Sequence, residues 1–425
     1  MRITTTITIG AGAAGLAMSR TLAGYGIDHV VLERGEIANS WRTERWNSLR
    51  LLTPNWQSRL PGFAYSGADP DGFRTMPETV MYLDDYARSF DAPVETHTTV
   101  MAVKRHAAGY EVITNKDVWR CRCVVIASGA CNIASVPAFA ASIPDRIQQV
   151  TPLAYRNPHQ LEQGGVLVVG ASATGVQLAQ EIQASGRSVT LSVGEHIRAV
   201  RSYRGRDIKW WMDRLGLLDL GLNDVDDVGR VRDLPSMQLI GSPEGETIDL
   251  NSLQDAGVRI TGRLGGIDGV RAQFSGALAN TCRLADLKLN RLLSGIDGVI
   301  MREGLDTVLP AGARPSPTRV PSAPDLVLDL DRAGIRTIIW ATGYRPDYSW
   351  LDAPVLDAKG RLRHTGGVVA APGLYALGLP FLRRRKSTLI DGVGDDARDL
   401  AKHMVAYLNP RLQDRTNGGE RHVVC

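Results

Sequence analysis

The sequence predicts an α/β fold with parallel sheets, in which one nucleotide-binding unit is inserted into another. Glycine accounts for 44 of the 425 residues and is concentrated at turns between short β-branched runs, as alternating strands and helices require. Residues 3–33 and 166–192 repeat one pattern of strand, Gly-rich turn, Ala- and Leu-rich helix, and strand. The repetition indicates two nucleotide-binding units in one polypeptide.

The composition narrows the class of protein. A chain of 425 residues with 44% hydrophobic and 22% charged residues is typical of a globular protein with two or three domains. The net charge of +4 comes from interspersed signs, so we expect neither nucleic acid nor a lipid surface as a partner. No apolar run approaches the roughly 20 residues that span a bilayer, and the Thr-rich start is too polar for a secretory leader. The five cysteines form no C-x-x-C pair, so we expect a cytoplasmic protein without a disulfide framework.

The first unit carries the fingerprint Gly10-Ala-Gly12-Ala-Ala-Gly15, and Glu33 ends its next strand. Gly10 allows the tight turn, Gly12 lets a pyrophosphate approach the backbone, and Gly15 lets the helix pack close to the sheet. The helix N-terminus offers free N–H groups to the phosphates, and Glu33 can accept hydrogen bonds from the ribose hydroxyls of an adenosine. The predicted contacts of this site also include Ala14 and Arg34.

The second fingerprint begins at Gly170, with Ser172 in place of the middle glycine. Ser192 stands where the first unit has its acid, so a 2′-phosphate would not be repelled there. Several basic residues follow, and the combination favours NADPH over NADH; the alternative is that these arginines form a solvated face. The predicted contacts of this site are Gly170, Ser172, Ala173, Thr174, Gly175, Ser192, Arg198 and Arg201.

The two sites differ in character, since one ends in an acid and the other is flanked by bases. A flavoprotein typically combines a bound cofactor that accepts electrons with a diffusible cofactor that delivers them, so the two sites indicate a flavoprotein. Two strand ends, 124–129 and 338–343, carry Ala-[Ser/Thr]-Gly, where small residues would let the chain cross between the domains. The predicted contacts there are Ala127, Ala341 and Thr342.

These patterns predict the domain boundaries. Residues 1–160 and 340–425 form the first domain, and residues 161–339 form the second, with a helical insertion at about 203–291. Five prolines between positions 310 and 324 predict an extended surface connection. A final helix is expected from about 395 to 408, capped by Asp395 or Asp396.

The stretch 39–54, Asn-Ser-Trp-Arg-Thr-Glu-Arg-Trp-Asn-Ser-Leu-Arg-Leu-Leu-Thr-Pro, resembles the segment that runs along the flavin in class B flavin-dependent monooxygenases. The resemblance covers the chain outside the insertion and implies two Rossmann-like domains, the NADPH domain inserted into the FAD domain. It implies that Arg42 lies near the pyrophosphate, that Leu52 and Thr53 lie near the isoalloxazine, and that the final helix, with Gly392, faces the flavin. Trp41 is a further implied contact, although core packing explains it equally well.

The same resemblance implies an NADPH-dependent monooxygenase that forms a flavin C4a-hydroperoxide and oxygenates a nitrogen, sulfur or carbon centre of a small molecule. Thr151 stands where the group's linker has a histidine, so an NAD(P)H-dependent flavin reductase without oxygen insertion is an alternative, and a redox sensor is another. The insertion, with Trp210 and Trp211, is expected to cover the nicotinamide site. No catalytic residue and no metal site are predicted, and a homodimer is left open.

Overall fold

The computed structural model describes residues 1–107 and 109–409. Cys425 lies outside the described residues, as does the C-terminal end of the predicted first domain beyond residue 409. The helices are α1 (Ala13–Gly24), α2 (Asn39–Thr43), α3 (Met76–Arg88), α4 (Ala173–Ala184), α5 (Ile208–Arg214), α6 (Val228–Arg232), α7 (Leu250–Asp255), α8 (Leu278–Arg302) and α9 (Ile390–Leu408). The strands are β1 (Arg2–Ile3), β2 (Thr6–Ile9), β3 (His29–Leu32), β4 (Arg59–Leu60), β5 (Phe63–Ala64), β6 (Val94–Glu95), β7 (Val100–His106), β8 (Gly109–Thr114), β9 (Val118–Cys121), β10 (Cys123–Ile126), β11 (Ile133–Ala134), β12 (Gln148–Val150), β13 (Gly165–Val169), β14 (Val189–Ser192), β15 (Ser202–Tyr203), β16 (Arg206–Asp207), β17 (Arg259–Thr261), β18 (Leu264–Asp268), β19 (Arg271–Phe274), β20 (Val327–Asp329), β21 (Ile335–Trp340), β22 (Tyr344–Arg345), β23 (Leu351–Asp352), β24 (His364–Thr365), β25 (Val368–Val369) and β26 (Leu374–Ala376).

The first nucleotide-binding unit forms a sheet with the strand order β24-β25-β26-β10-β2-β3-β6. Strands β26, β10, β2, β3 and β6 run parallel, and all four residues of β2 are buried, as a strand covered on both faces requires. Helix α1 leaves β2 through the first glycine turn and packs against α9 from the far end of the chain. The N-terminal residues are therefore strands, as predicted.

The second unit forms a parallel sheet with the order β12-β21-β13-β14-β17. Strand β13 is buried throughout and leads into α4 through the second glycine turn. Strand β12 at residues 148–150 already belongs to this sheet, so the chain enters the second domain before the predicted boundary at 160. The predicted α/β class with one parallel-sheet unit inserted into another is confirmed.

Residues 203–291, which were predicted to form one helical insertion, do not form a single structural unit. Strand β17 lies within it and completes the second sheet, and the hairpin of β18 and β19 follows. Helix α8 buries one face against α5, where Trp211 is fully buried and donates a hydrogen bond to the Tyr203 carbonyl at 2.7 Å. Trp211 is therefore a core residue and not a cover for the nicotinamide site, whereas Trp210 is half-buried.

The final helix begins earlier than predicted. Helix α9 starts at Ile390, and Leu389 occupies the N-cap position, so neither Asp395 nor Asp396 caps it. Both aspartates pair with cations instead: Asp396 with Arg384 at 2.6 Å, and Asp395 with Lys386 at 2.9 Å. The glycines within 390–394 hid the helix start from propensity arguments, since glycine disfavours helix interiors. The Pro-rich connection at 310–324 contains no helix or strand, as predicted.

Candidate functional site: two dinucleotide loops joined by crossing strands

The first glycine turn is shaped by close contacts within the protein. A Cβ on Gly10 would lie 2.6 Å from the Ala127 carbonyl oxygen, and a Cβ on Gly15 would lie 1.8 Å from the Gly10 carbonyl oxygen. Gly12 differs, because its Cβ would meet no atom of the described residues within 4 Å. The turn therefore leaves open space beside Gly12, where a Cβ would intrude on a pyrophosphate. The geometry fits a dinucleotide.

Glu33 holds this turn from the next strand. Its carboxylate is buried and accepts hydrogen bonds from the N–H of Ala11 at 2.7 Å and of Gly35 at 3.2 Å. The neighbouring Arg34 pairs with Glu44 at the surface. Ala14, in the first turn of α1, lies against Gly378 at the end of β26. The acid thus orders the loop that a ribose and pyrophosphate would face.

The second glycine turn repeats this arrangement. A Cβ on Gly170 would lie 2.4 Å from the Ala341 carbonyl oxygen, and a Cβ on Gly175 would lie 1.8 Å from the Gly170 carbonyl oxygen. Ser172 occupies the N-cap position of α4 but makes no side-chain capping bond within the described part of the chain. Its hydroxyl and the first N–H groups of α4, including that of Ala173, remain available for a phosphate.

The two loops are joined through the crossing segments. Ala127 and Ala341 each place a carbonyl against the first glycine of one loop. Beyond them, β11 and β22 pair in antiparallel fashion, and the Ser135 N–H donates to the Gly343 carbonyl at 2.9 Å. Thr342 donates its hydroxyl to the Ser135 carbonyl at 2.5 Å. The predicted crossing segments therefore connect the two candidate sites directly.

The stretch that resembles the flavin-facing segment lies between the domains. Leu52 and Thr53 are half-buried, and the Leu52 carbonyl accepts a hydrogen bond from Arg201 at 3.0 Å. Arg42 pairs with Asp84 of α3 and donates to the Ile37 carbonyl at 2.8 Å, so its guanidinium is occupied by the protein. The roles of Leu52, Thr53 and Arg42 toward the flavin stay predictions.

Trp41 and Gly392 have structural explanations in this fold. Trp41 is half-buried against the core, and the Arg45 guanidinium lies 5.3 Å from its ring centroid. A Cβ on Gly392 would lie 1.9 Å from the Lys386 carbonyl oxygen, so the chain needs a glycine there to enter α9. Their contacts with a cofactor also stay predictions.

The two arginines predicted at the 2′-phosphate are engaged elsewhere. Arg198 is 4% exposed and pairs with Asp249 at 2.6 Å and Asp286 at 2.7 Å. Arg201 is 2% exposed and pairs with Asp207 at 2.6 Å, with its guanidinium 4.8 Å from the Phe73 ring. Spacing along the sequence could not reveal this, because the acidic partners come from distant segments. Their recognition of phosphate stays a prediction that this geometry does not favour.

A different arginine lies beside the end of β14. Ser192 and Thr261 are register partners on adjacent parallel strands, and the Ser192 hydroxyl donates to the Gly262 carbonyl at 3.0 Å. Two residues beyond the partners, a Cβ on Gly194 would lie 3.7 Å from the Arg263 side chain. Arg263 is exposed and has no hydrogen bond or ion pair from its side chain within the described ranges. Arg263 follows a strand that is distant in sequence from the second glycine turn, so the spacing of the motif could not predict its position.

The sequence analysis also missed a group of buried polar atoms just beyond the flavin-resembling stretch. Several side-chain atoms there lack a hydrogen-bond partner within the part of the chain that the structure describes. They are Asn55 Oδ1, both amide atoms of Gln57, Ser58 Oγ, and Nε and Nη2 of Arg74. Buried polar groups in folded proteins are nearly always hydrogen-bonded, so a cluster of unpartnered atoms sets this segment apart from the rest of the described core. The polar residues in the 55–58 turn were the sequence feature that could have predicted this group.

The described cysteines are free thiols whose pKa values are raised by burial. Burial raises the pKa of Cys121 and of Cys123 to about 12, and that of Cys282 to about 11. Burial also raises the pKa of Cys131 above its ordinary value. Among residues 1–107 and 109–409, no disulfide-forming pair stands beside the glycine loops, and no group of three or more His, Cys, Asp or Glu could hold a metal. None of the helices in those ranges is long and apolar enough to cross a bilayer.

Comparison with known proteins identifies the family. A profile of the pyridine nucleotide-disulphide oxidoreductase family matches residues 7–215. An uncharacterized CzcO-like oxidoreductase of Geobacillus kaustophilus is 33% identical over 404 residues, which cover 94% of this chain and 98% of that relative. The chain belongs to the CzcO-like oxidoreductases. A second relative, the indole-3-pyruvate monooxygenase YUCCA6 of Arabidopsis thaliana, is 28% identical over 214 residues, or 47% of this chain and 49% of that protein.

The solved structures agree on the fold of this CzcO-like oxidoreductase. A flavin-containing monooxygenase from Stenotrophomonas maltophilia superposes with a TM-score of 0.67 at 17% identity, covering 96% of this chain and all of that one. The predicted resemblance to flavin-containing monooxygenases is thus confirmed at the level of the fold, and the prediction of a flavin-dependent oxidoreductase is confirmed with it. The family description and this likeness also support FAD and NADPH as the cofactors.

Proposed function

We propose that this CzcO-like oxidoreductase is an NADPH-dependent flavin monooxygenase that oxygenates a small organic molecule. FAD would be held by the turn at Gly10, Gly12 and Gly15, and NADPH by the turn at Gly170, Ser172 and Gly175. Bound flavin supplies the redox chemistry, since it takes electrons from NADPH and makes them available to O2. The chain itself must bind, orient and shield the two cofactors.

The observation that carries the proposal is the direct link between two dinucleotide loops, with no dithiol beside them among residues 1–107 and 109–409. The paired strands β11 and β22 connect the loops, and Ala127 and Ala341 fix the first glycine of each. A disulfide reductase needs a cysteine pair that can pass electrons onward, whereas the described cysteines have pKa values raised by burial. This disfavours onward transfer through a protein dithiol, and the likeness to flavin-containing monooxygenases supports O2 as the acceptor.

Residues at the domain boundary would keep water away from the reacting atoms. Arg201 joins Asp207 and the Ile240 carbonyl of the second domain to the Leu52 carbonyl of the first. This buried contact fixes Leu52 and Thr53, which the resemblance puts near the isoalloxazine. A dry, fixed site favours oxygen transfer to a substrate over release of hydrogen peroxide.

Arg263 is our candidate for recognition of the NADPH 2′-phosphate. It is exposed, lies against Gly194, and follows β17 at the edge where the second loop and Ser192 also end. A free guanidinium can make two hydrogen bonds to a phosphate. Arg198 and Arg201 remain structural in this assignment, because their guanidinium groups are already paired.

The test is the stoichiometry of electron use. Purified holoenzyme is given NADPH and a panel of amines, thioethers, ketones and 2-oxo acids under isotopically labelled O2. A monooxygenase incorporates one labelled oxygen atom into product for each NADPH consumed. Oxidation of NADPH that yields only hydrogen peroxide with every compound, together with fast reduction of a quinone, would instead assign the flavin reductase activity.

A further inference from the structure

Two basic side chains without partners lie near each other where α5 meets the segment that leads into α9. Lys209 belongs to α5, and Arg385 precedes α9 by a few residues. Neither side chain forms a hydrogen bond or an ion pair within residues 1–107 and 109–409. Lys209 is half-buried and Arg385 is exposed, so both can be reached from solvent.

Lys209 is held close to the flavin-resembling stretch by a chain of contacts. The Asp207 carboxylate accepts the Lys209 N–H at 2.6 Å and pairs with Arg201, also at 2.6 Å. Arg201 in turn donates to the Leu52 carbonyl at 3.0 Å. Only Asp207 and Arg201 therefore separate Lys209 from the backbone that the resemblance puts near the isoalloxazine.

Arg385 differs from the bases on either side of it. Its N–H donates to the Leu220 carbonyl at 3.0 Å, so its segment runs against the chain that follows α5. Each flanking base pairs with two aspartates, whereas the Arg385 side chain has no such partner in the described part of the chain. The flanking pairs are Arg384 with Asp396 and Asp399, and Lys386 with Asp219 and Asp395.

The charges around Lys209 do not balance. Its pKa is lowered to about 8, first by burial and then by the positive charges of Arg201 and Arg385, while Asp207 acts in the opposite direction. Because Arg201 and Asp207 neutralise each other, Lys209 and Arg385 leave two uncompensated positive charges. The surrounding chain also removes enough water from Arg385 to lower the pKa of its guanidinium. Partly desolvated cations of this kind gain from an anionic partner.

We propose that the substrate of this flavoprotein is an organic anion whose carboxylate binds between the Lys209 amine and the Arg385 guanidinium. An ammonium and a guanidinium group can each donate to one carboxylate oxygen. The inference rests on the proposed function, because it puts the substrate beside the flavin-facing stretch. It makes Lys209 and Arg385 specificity-determining residues that favour anions over neutral molecules.

The experiment measures binding of phenylacetate to the oxidised holoprotein, without NADPH, by isothermal titration calorimetry. Phenylacetamide serves as the neutral analogue. We expect phenylacetate to bind about tenfold or more tightly than phenylacetamide, and Lys209→Met and Arg385→Met each to weaken phenylacetate by about fivefold or more. The matched controls Lys104→Met on β7 and Arg230→Met on α6 remove exposed bases elsewhere and should leave its affinity unchanged.

The pH dependence of binding distinguishes Lys209 from a merely structural residue. The amine loses its charge as the pH rises through its pKa of about 8, so phenylacetate binding should weaken from pH 7 to about 9.5. The charged groups that face the amine are Arg201, Asp207 and Arg385, and arginine and aspartate side chains do not change charge over this range. Lys209→Met should show no such weakening. If that variant does not fold, Lys209→Arg keeps its charge and should bind phenylacetate equally at both ends of the range.

Three results would overturn the proposal. The first is equal binding of phenylacetate and phenylacetamide, and the second is no phenylacetate binding up to about 10 mM. The third is a loss of NADP+ affinity in Lys209→Met or Arg385→Met in step with the loss of phenylacetate, because the cations would then serve the cofactor phosphates. Binding requires no turnover, so phenylacetate binding without oxygen incorporation into any compound would overturn the proposed function and leave the anion site in place.

Discussion

Replacement of Arg201 by methionine tests whether this arginine joins the domains or recognises NADPH. Arg201→Met removes an ion pair of 2.6 Å whose partners are 2% and 15% exposed, and it removes hydrogen bonds of 3.0 and 3.3 Å to the Leu52 and Ile240 carbonyls. Loss of one partner of a buried ion pair typically costs about 3–5 kcal/mol. Asp207 keeps a hydrogen bond from the Lys209 N–H at 2.6 Å, so we expect the lower end of that range, about 3 kcal/mol.

Urea unfolding followed by circular dichroism measures this cost, with Arg206→Met as the matched control. Arg206 lies on the same hairpin but is exposed, so its loss should change the free energy of unfolding by less than about 0.5 kcal/mol. Binding of NADP+ and NAD+ to both variants should keep the wild-type preference. A loss below about 1 kcal/mol together with a selective loss of NADP+ affinity in Arg201→Met would refute the domain contact and restore the role that the sequence predicts.

Three other predictions concern the cofactor loops and one lysine. Arg263→Ala should reduce the preference for NADP+ over NAD+ by about tenfold or more, as measured by equilibrium binding, while Arg271→Ala on the neighbouring hairpin should not; an unchanged preference would rule out Arg263. Gly12→Ala should fold normally and bind FAD poorly, because its Cβ meets no described atom within 4 Å, and a variant with full FAD content would contradict the predicted pyrophosphate position. Burial lowers the pKa of Lys209 to about 8, so between pH 8 and 10.5 the unfolded chain binds more protons and the free energy of unfolding should rise with pH, by about 1–3 kcal/mol. Urea titrations of Lys209→Met should lack that rise; an identical pH dependence in both proteins would exclude Lys209 as its source.

The sequence was sufficient to predict the architecture, because the contacts that require a glycine in each nucleotide-binding turn are local. Gly10, Gly15, Gly170 and Gly175 are forced by backbone contacts within a few residues or with one crossing strand, so the pattern of small residues predicts them. The limits of the insertion and the start of α9 depended on packing between distant segments. Strand β17, with only three residues, gives no distinct periodicity of its own.

The arginines that would bind the 2′-phosphate could not be identified from the sequence, because their partners also come from distant segments. Arg198 pairs with residues 51 and 88 positions away, and a run of nearby bases looked like a free phosphate site. Conversely, Arg74 and Arg263 each stand apart from other bases in the sequence, and only the fold shows which residues lie beside them. An arginine's availability is decided by the carboxylates that reach it, and those are a property of the folded chain.

The joining of α1 to α9 also governs the order in which the molecule can be assembled on the ribosome. All five strands of the second sheet lie between residues 148 and 340, so that sheet has all its strands while the chain is still being made. The sheet around β2 must wait for β26 and for α9, which begins at residue 390. The earliest segment to emerge therefore spends the longest time incomplete, and truncations near the C-terminus should expose apolar surface at the opposite end of the polypeptide.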